Sequence, residues 1–223
     1  MVMIESRYNG PPDSGNGGWT AGTVAGLVDR PAGTVVTLRV PPPLETPFSV
    51  VREDGAVRVH APDGTLVADA QPTEVDGDLV PPVDFATAVE VSTRYPGFAH
   101  HPFPTCFVCG PKRANDDGLR MFPGRVATDR TATPWRVPHD VSPTMVWAAL
   151  DCPGGWSVDI ESRPYVLGRI ALRLDRAPAP DDECVVMGQL LSSEGRKATV
   201  AVTLYGGDGA PLAHSRATWI AIA

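Results

Sequence analysis

A repeat of one helix followed by four strands is the feature of this 223-residue sequence that most restricts its fold. The first copy starts with the segment 17–28, whose residues are small, and the second with a short apolar segment at 142–150. Alternating apolar residues, proline corners and Asp-Gly turns follow each segment and predict strands. The clearest matched landmarks are the Leu-Arg pairs at 38–39 and 172–173 and the Asp-Gly turns at 63–64 and 208–209. The sequence therefore predicts an internal duplication.

The duplication predicts two similar halves, residues 1–80 and 105–223, joined by a connector at 81–104 with a short helix at 84–92. Each half is expected to form an antiparallel sheet that wraps around its helix, so the fold class is α+β. Exposed sheet edges invite unwanted pairing, and joining the two sheets edge to edge removes one edge from each half. We therefore predict one continuous sheet that runs through both halves.

The second helix is predicted with clear ends. Ser142 is a suitable N-cap and Pro143 suits the first helical position, where its missing N–H costs nothing. Pro153 and the two glycines after it are expected to stop the helix. The residues between are almost all apolar, so the helix should be buried. Asp151 would then lie in the last turn, where the helix dipole disfavours a carboxylate, and an acid held at such a cost is a candidate for function.

The order of these segments resembles the double hotdog proteins of the acyl-CoA thioesterase superfamily. The residues that carry the resemblance are Gly17-Gly18-Trp19 at the first helix, the segment 146–151 in the second helix, and Cys106-Phe107-Val108-Cys109-Gly110 followed by Gly118-Leu119-Arg120. The resemblance spans nearly the whole chain. It implies a double hotdog fold, two helix-wrapped antiparallel sheets in one chain.

In such proteins the active site combines parts of both halves. The resemblance implies one composite site here, with Asp151, Gly17 and Gly18 as the catalytic residues. Asn16, Trp19 and Trp147 are candidate substrate contacts, although both tryptophans are most simply core residues. The mirror-image site should be inactive, since Ala25 stands at its acid position and residues 142–144 lack a glycine pair.

The chemistry of thioester hydrolysis fits these residue types. Backbone N–H groups at a helix N-terminus can polarise a carbonyl, glycines permit close approach, and a carboxylate can act as base or nucleophile. Two features depart from the family pattern. Asn16 stands where many relatives have His. In some relatives a Thr and a Gln orient the attacking water, and in this sequence the candidates for those two roles are Thr203 and Gln189.

Two function classes stay open, and a third is disfavoured. The first is a hydrolase acting on acyl-CoA or an acyl-carrier thioester, and the second is a non-catalytic acyl-binding or scaffold protein of the same fold. A hydratase is disfavoured, because that family pairs an Asp with a His a few residues later on one helix and Asp151 has no such His. The sequence favours the hydrolase.

The cysteines raise the question of a zinc site. Cys106 and Cys109 form half of a zinc site, and His100, His101 or His139 could supply ligands, but no second pair has suitable spacing. Cys152 could be a nucleophile, yet no histidine lies close to it in sequence, which favours a small buried residue. We therefore expect reduced thiols, no metal and no cofactor.

The charge and hydropathy patterns exclude some partners. A net charge of −7 and the lack of a Lys/Arg run argue against nucleic-acid binding. No apolar run approaches the ~18–20 residues of a membrane span, and no signal peptide is recognisable. With only four cysteines, the sequence predicts a cytoplasmic protein and leaves homo-oligomerisation open.

Overall fold

A single antiparallel sheet forms the frame of the chain in a computed structural model, which describes residues 2–29, 33–77, 79–114 and 117–222. Two short 3₁₀ turns lie at Ser6–Tyr8 and Pro96–Phe98. In those ranges the helices are α1 (Gly17–Ala25), α2 (Phe85–Ser92), α3 (Pro143–Ala149) and α4 (Cys152–Gly155). The strands are β1 (Gly33–Leu38), β2 (Ser49–Glu53), β3 (Ala56–His60), β4 (Leu66–Pro72), β5 (Gly124–Ala127), β6 (Arg130–Arg136), β7 (Tyr165–Leu174), β8 (Glu183–Glu194), β9 (Lys197–Tyr205) and β10 (Pro211–Ala221). None of the helices in the described ranges is both long and apolar enough to span a membrane.

The strand order is β2-β3-β4-β1-β7-β10-β9-β8-β6-β5. Strands β1 to β4 come from the first predicted half and β5 to β10 from the second. The antiparallel pair β1–β7 joins the halves, with Val36 opposite Ile170, and both side chains are fully buried. The predicted continuous sheet and α+β double hotdog fold are thus confirmed, while the boundaries at 80 and 105 stay a prediction.

Helices α1 and α3 lie against each other on one face of this sheet. The small residues of α1 let it lie on the sheet, where Gly17 faces Leu167 of β7, while Gly18 and Gly22 serve the contact with α3. A Cβ atom at Gly22 would lie 2.7 Å from Trp147 Cβ and 2.9 Å from Thr144 Cα. Only glycine permits this approach, so the helices are closer than any larger residue would allow. Helix α1 also ends earlier than predicted, at Ala25.

The predicted stop of the second helix is wrong. Helix α3 ends at Ala149, and α4 begins almost at once and contains Pro153 and both glycines. Proline is tolerated in a first helical turn because the N–H groups there have no partner within the helix. The glycines bring α4 onto the sheet: a Cβ at Gly154 would lie 2.8 Å from Val202 Cγ2, and one at Gly155 2.5 Å from the Trp219 ring. Asp151 therefore occupies the junction between two helices.

The connector builds a second, smaller core on the other face of the sheet. Its predicted helix is α2, and Ala88 and Val91 of α2 pack with Val185 and Met187 of β8. The alternate β8 residues, Cys184 and Val186, belong to the main core, because successive strand side chains face opposite ways. The sheet is therefore covered on both faces in the second half.

The close helix contact can be tested with Gly22→Ala. The added methyl group must displace the Trp147 side chain or the α3 backbone, and overpacking of this kind costs about 1–3 kcal/mol. Replacing a helical glycine with alanine recovers at most about 1 kcal/mol. We expect a lower free energy of unfolding, measured by urea denaturation.

Gly26→Ala is the matched control. Gly26 follows α1 with a helical φ of −63°, and its Cβ would have no neighbour closer than 3.5 Å. This variant should keep or slightly raise the stability. Equal stabilities for the two variants would contradict the packing described above.

Candidate active site

The carboxylate of Asp151 lies at the N-terminus of α1, across the helix contact from its own half. Its Oδ2 accepts a hydrogen bond from the Gly18 N–H at 2.9 Å and one from Asn16 Nδ2 at 3.1 Å. Asp151 and Asn16 are each only 2% exposed. The structure thus brings together an acid from the second half and an asparagine and a glycine from the first, as the sequence predicts.

Two opposed effects set the charge state of Asp151. Burial raises the pKa of the carboxyl to about 7, and the nearby Cys106 thiol adds to the rise, while the hydrogen bonds from Gly18 and Asn16 oppose it. The dipole of α3 disfavours a carboxylate at its end, but the N-terminus of α1 carries the opposite partial charge and favours one. The second oxygen, Oδ1, is buried and has no hydrogen-bond partner among the described residues.

Asn16 holds Asp151 and the helix at the same time. As the N-cap of α1 its Oδ1 accepts a hydrogen bond from the Trp19 N–H at 2.8 Å, which leaves Nδ2 to face Asp151. The same Nδ2 lies 3.7 Å from Cys106 Sγ. An amide neither gives nor takes a proton near neutral pH, so Asn16 can orient the carboxylate but cannot replace the histidine of many relatives.

A cavity of about 460 Å³ opens beside this carboxylate. Asp151, Asn16 and Gly17 lie in its wall. Both halves contribute apolar side chains, among them Leu38, Val40, Phe103, Leu167, Trp219 and Ile220. Apolar walls with a few polar groups at one point are typical of small-molecule sites. This cavity has room for an apolar ligand whose polar end lies near Asp151.

The two glycines have different tasks. The Gly18 N–H donates a hydrogen bond to Asp151, whereas the Gly17 N–H donates none within the described part of the chain. Gly17 also lines the cavity, and a Cβ there would lie 2.7 Å from Leu167 Cβ. The sequence predicts that the N–H groups of both glycines polarise the substrate carbonyl. In the structure the Gly17 N–H is the one left available for this role.

Both predicted tryptophan contacts lie away from the cavity. Trp19 stacks on Tyr8 with ring centroids 3.6 Å apart and also meets the edge of Phe107. Trp147 is buried against Gly22 in the helix contact. Both side chains belong to the packing around the site, and neither lines this cavity.

The two residues predicted as candidates for orienting water form hydrogen bonds away from the cavity. Gln189 donates a hydrogen bond to Asp129 Oδ2, and Thr203 Oγ1 accepts one from the Val80 N–H. Neither residue lines the cavity. They cannot orient a water molecule against Asp151.

Four cavity residues are missing from the sequence-based site. The Sγ atoms of Cys106, Cys109 and Cys152 all lie within 4.8 Å of one another, and Cys106 and Cys152 are 3.9 Å apart. His101 Nε2 lies 3.4 Å from Cys109 Sγ. Because 46 residues separate Cys152 from Cys106, no spacing rule connects them. The sequence feature that could have placed Cys152 in the site is its position directly after Asp151.

The environment of Cys106 favours a thiolate. The Cys109 and Cys152 thiols lower the pKa of Cys106, and the backbone N–H groups of Cys109 and Val108 lower it further against the effect of burial. Burial raises the pKa of Cys109, and the neighbouring Cys106 raises that of Cys152.

Comparison with known proteins connects the chain to a fold. A scan against models of known families and a search of curated proteins returned no match. Among solved structures, the chain resembles a Novosphingobium aromaticivorans protein provisionally described as a thioesterase, with 17% identity, a TM-score of 0.63 and coverage of 100% of this chain and 94% of that one.

Two further solved structures agree with this result. The tesB protein of Mycobacterium avium subspecies paratuberculosis has 15% identity and a TM-score of 0.64, over 96% of this chain and 89% of that one. A hot dog fold protein of unknown function from Alicyclobacillus acidocaldarius has 15% identity and a TM-score of 0.61, over 99% and 92%. With its continuous ten-stranded sheet and its paired helices, the chain is a double hotdog protein with the fold of thioesterase-like proteins.

Proposed function

We propose that the chain hydrolyses an acyl thioester, such as an acyl-CoA or an acyl group on a carrier protein. The observation that carries this proposal is the position of Asp151, whose carboxylate meets the N-terminus of the other half's helix at the wall of an apolar cavity. Two of the three similar structures above are described as thioesterase or tesB proteins, which supports the same reaction class.

The site supplies a group for each part of the reaction. The acyl chain occupies the apolar cavity and the thioester carbonyl accepts a hydrogen bond from the Gly17 N–H. Asp151 takes a proton from a water molecule through Oδ1, which has no hydrogen-bond partner among the described residues, as the water oxygen attacks the carbonyl carbon. The C–S bond then breaks, the leaving thiolate takes the proton back from Asp151, and the carboxylic acid is released. Asn16 and Gly18 hold the other carboxylate oxygen throughout.

A binding protein is the second candidate, and one observation favours it. Asp151 itself occupies the Gly18 N–H, which leaves the Gly17 N–H as the donor for the substrate carbonyl at the start of α1. A site with one donor polarises a carbonyl less than a site with two. The same cavity could then bind an acyl thioester without cleaving it.

Asp151→Asn separates the two candidates. The amide keeps the shape of the side chain and removes the base, which typically contributes about 10²–10⁴-fold to the rate. We expect the variant to lose this factor in hydrolysis, measured over acyl-CoA substrates of increasing chain length, while calorimetry still detects acyl-CoA binding.

Asp208→Asn is the control, because Asp208 is an exposed partner of Arg176 and should leave both hydrolysis and binding unchanged. Hydrolysis by Asp151→Asn at the parental rate would reject Asp151 as the base. A parent protein that binds acyl-CoA but cleaves no thioester would establish the binding function.

Asn16→Ala tests the support of the carboxylate. The variant loses the α1 cap, worth about 1 kcal/mol, and leaves Asp151 with one donor fewer, which costs about 1–3 kcal/mol more. We expect kcat to fall with little change in KM, because the carboxylate is no longer oriented. The measurements are urea denaturation and steady-state kinetics.

Asp84→Ala provides the comparison. Asp84 caps α2 by accepting a hydrogen bond from the Thr87 N–H at 2.7 Å and lies outside the cavity. It should lose only the stability of one cap and keep its kcat. Equal losses of stability and unchanged kcat in both variants would show that Asn16 acts as a cap alone.

A further inference from the structure

The three-thiol cluster stands apart from the proposed reaction, which uses none of its sulfur atoms. All three cysteines are buried, and they come from two separate segments, the turn at 106–109 and the start of α4. Buried thiols are ordinary core residues when they are scattered. Here their sulfur atoms converge on one point beside a cavity. We propose that Cys106, Cys109 and Cys152 bind a zinc ion.

The sulfur positions fit this ion. Zinc takes thiolates at about 2.3 Å in a tetrahedral arrangement, so two ligand sulfur atoms lie about 3.8 Å apart. Cys106 and Cys152 are 3.9 Å apart, and every pair in the cluster is within 4.8 Å. Small side-chain adjustments bring all three to ligand distance. Thiolate sets of this kind select zinc over the hard cations, which prefer oxygen.

The backbone holds the ligands in place. Between Cys106 and Gly110 the chain makes a tight turn, in which the Gly110 N–H donates to the Cys106 carbonyl at 2.9 Å. A Cβ at Gly110 would lie 2.5 Å from the Cys106 nitrogen, so the turn requires glycine. Cys152 is fixed by α4, which packs on the sheet through its glycines.

His101 supports the site as a hydrogen-bond donor. Its Nδ1 accepts a hydrogen bond from the Phe103 N–H at 2.9 Å, so the proton of the neutral ring is on Nε2. That nitrogen lies 3.4 Å from Cys109 Sγ and donates to it. The ring packs on Trp156, with centroids 5.1 Å apart. The fourth ligand is then a water molecule on the cavity side, where the cluster lines the wall.

This proposal replaces the sequence-based expectation of metal-free thiols. That expectation rests on the lack of a second cysteine pair, and the folded chain supplies the missing ligand from 46 residues away. The zinc ion would tie the turn at 106–109 to the helix that follows Asp151. It is independent of whether the cavity cleaves or only binds a thioester.

Metal analysis of the reduced, full-length protein tests the site. Purified without chelator, it should contain one zinc per chain, measured by mass spectrometry of the metal. After the zinc is exchanged for Co²⁺, thiolate-to-cobalt charge-transfer absorption should appear together with the d–d bands of a tetrahedral site. Cys106→Ala should lose the zinc, and His101→Ala should bind it about 10–100-fold more weakly.

Cys184→Ala is the matched control, because Cys184 is equally buried but lies on β8 and is not one of the three clustered thiols. It should retain one zinc. The proposal is overturned if the folded wild-type protein holds no zinc and gives no cobalt charge-transfer band while its four thiols titrate as reduced after denaturation. A disulfide between Cys106 and Cys152 in freshly purified protein, or equal zinc contents in Cys106→Ala and Cys184→Ala, would overturn it as well.

Discussion

The hydrogen bond from the Gly18 N–H to Asp151 Oδ2 is the interaction on which the candidate site depends. It exists only because the two helices nearly touch: a Cβ at Gly18 would lie 2.5 Å from Asp151 Cβ and 2.6 Å from the Trp147 carbonyl oxygen. Gly18 is therefore required both for the close contact of the two helices and for the hydrogen bond that holds the carboxylate. Any side chain at position 18 would separate the helices and withdraw the donor from the carboxylate. The requirement for glycine is set by the site and the core together.

The cost of burying Asp151 is only partly offset. Two donors and the positive end of α1 stabilise the charge at Oδ2, while Oδ1 has no hydrogen-bond partner within the described residues. A buried oxygen without a partner typically costs about 1–3 kcal/mol. Such a cost is easier to understand if a ligand or water completes the site, and the adjoining cavity has room for one. The unpaired oxygen is therefore consistent with a group that meets its substrate there.

Local sequence signals predicted much of the fold but only part of the site. The cap at Ser142, alternation in the strands and repeated Asp-Gly turns are properties of neighbouring residues, and they place the elements and the duplication. The approach of Asp151 to Asn16 followed from the resemblance to a family. The features that the sequence did not predict depend on tertiary packing. Pro153 lies inside α4, because this short helix fits against the sheet, and the Trp19 ring stacks on Tyr8. The meeting of Cys152 with Cys106 depends on the whole fold, and no local pattern could reveal it.

The duplicated fold has two ends at which the helices meet, yet only one is built as a site. The opposite end would need an acid near Ala25 and free backbone donors at the start of α3. Ala25 carries no charge, and Pro143 has no N–H at the position that corresponds to Gly17, so this end has one backbone donor fewer than the start of α1. Ser142 Oγ accepts the Met145 N–H at 3.2 Å, as Asn16 Oδ1 accepts the Trp19 N–H, but Ser142 has no amide N–H like the one that Asn16 donates to Asp151. An acid introduced at position 25 would therefore be buried beside a helix N-terminus with fewer donors than α1 offers. The asymmetry lies in the helix starts as much as in the missing carboxylate, so one substitution cannot restore the second site.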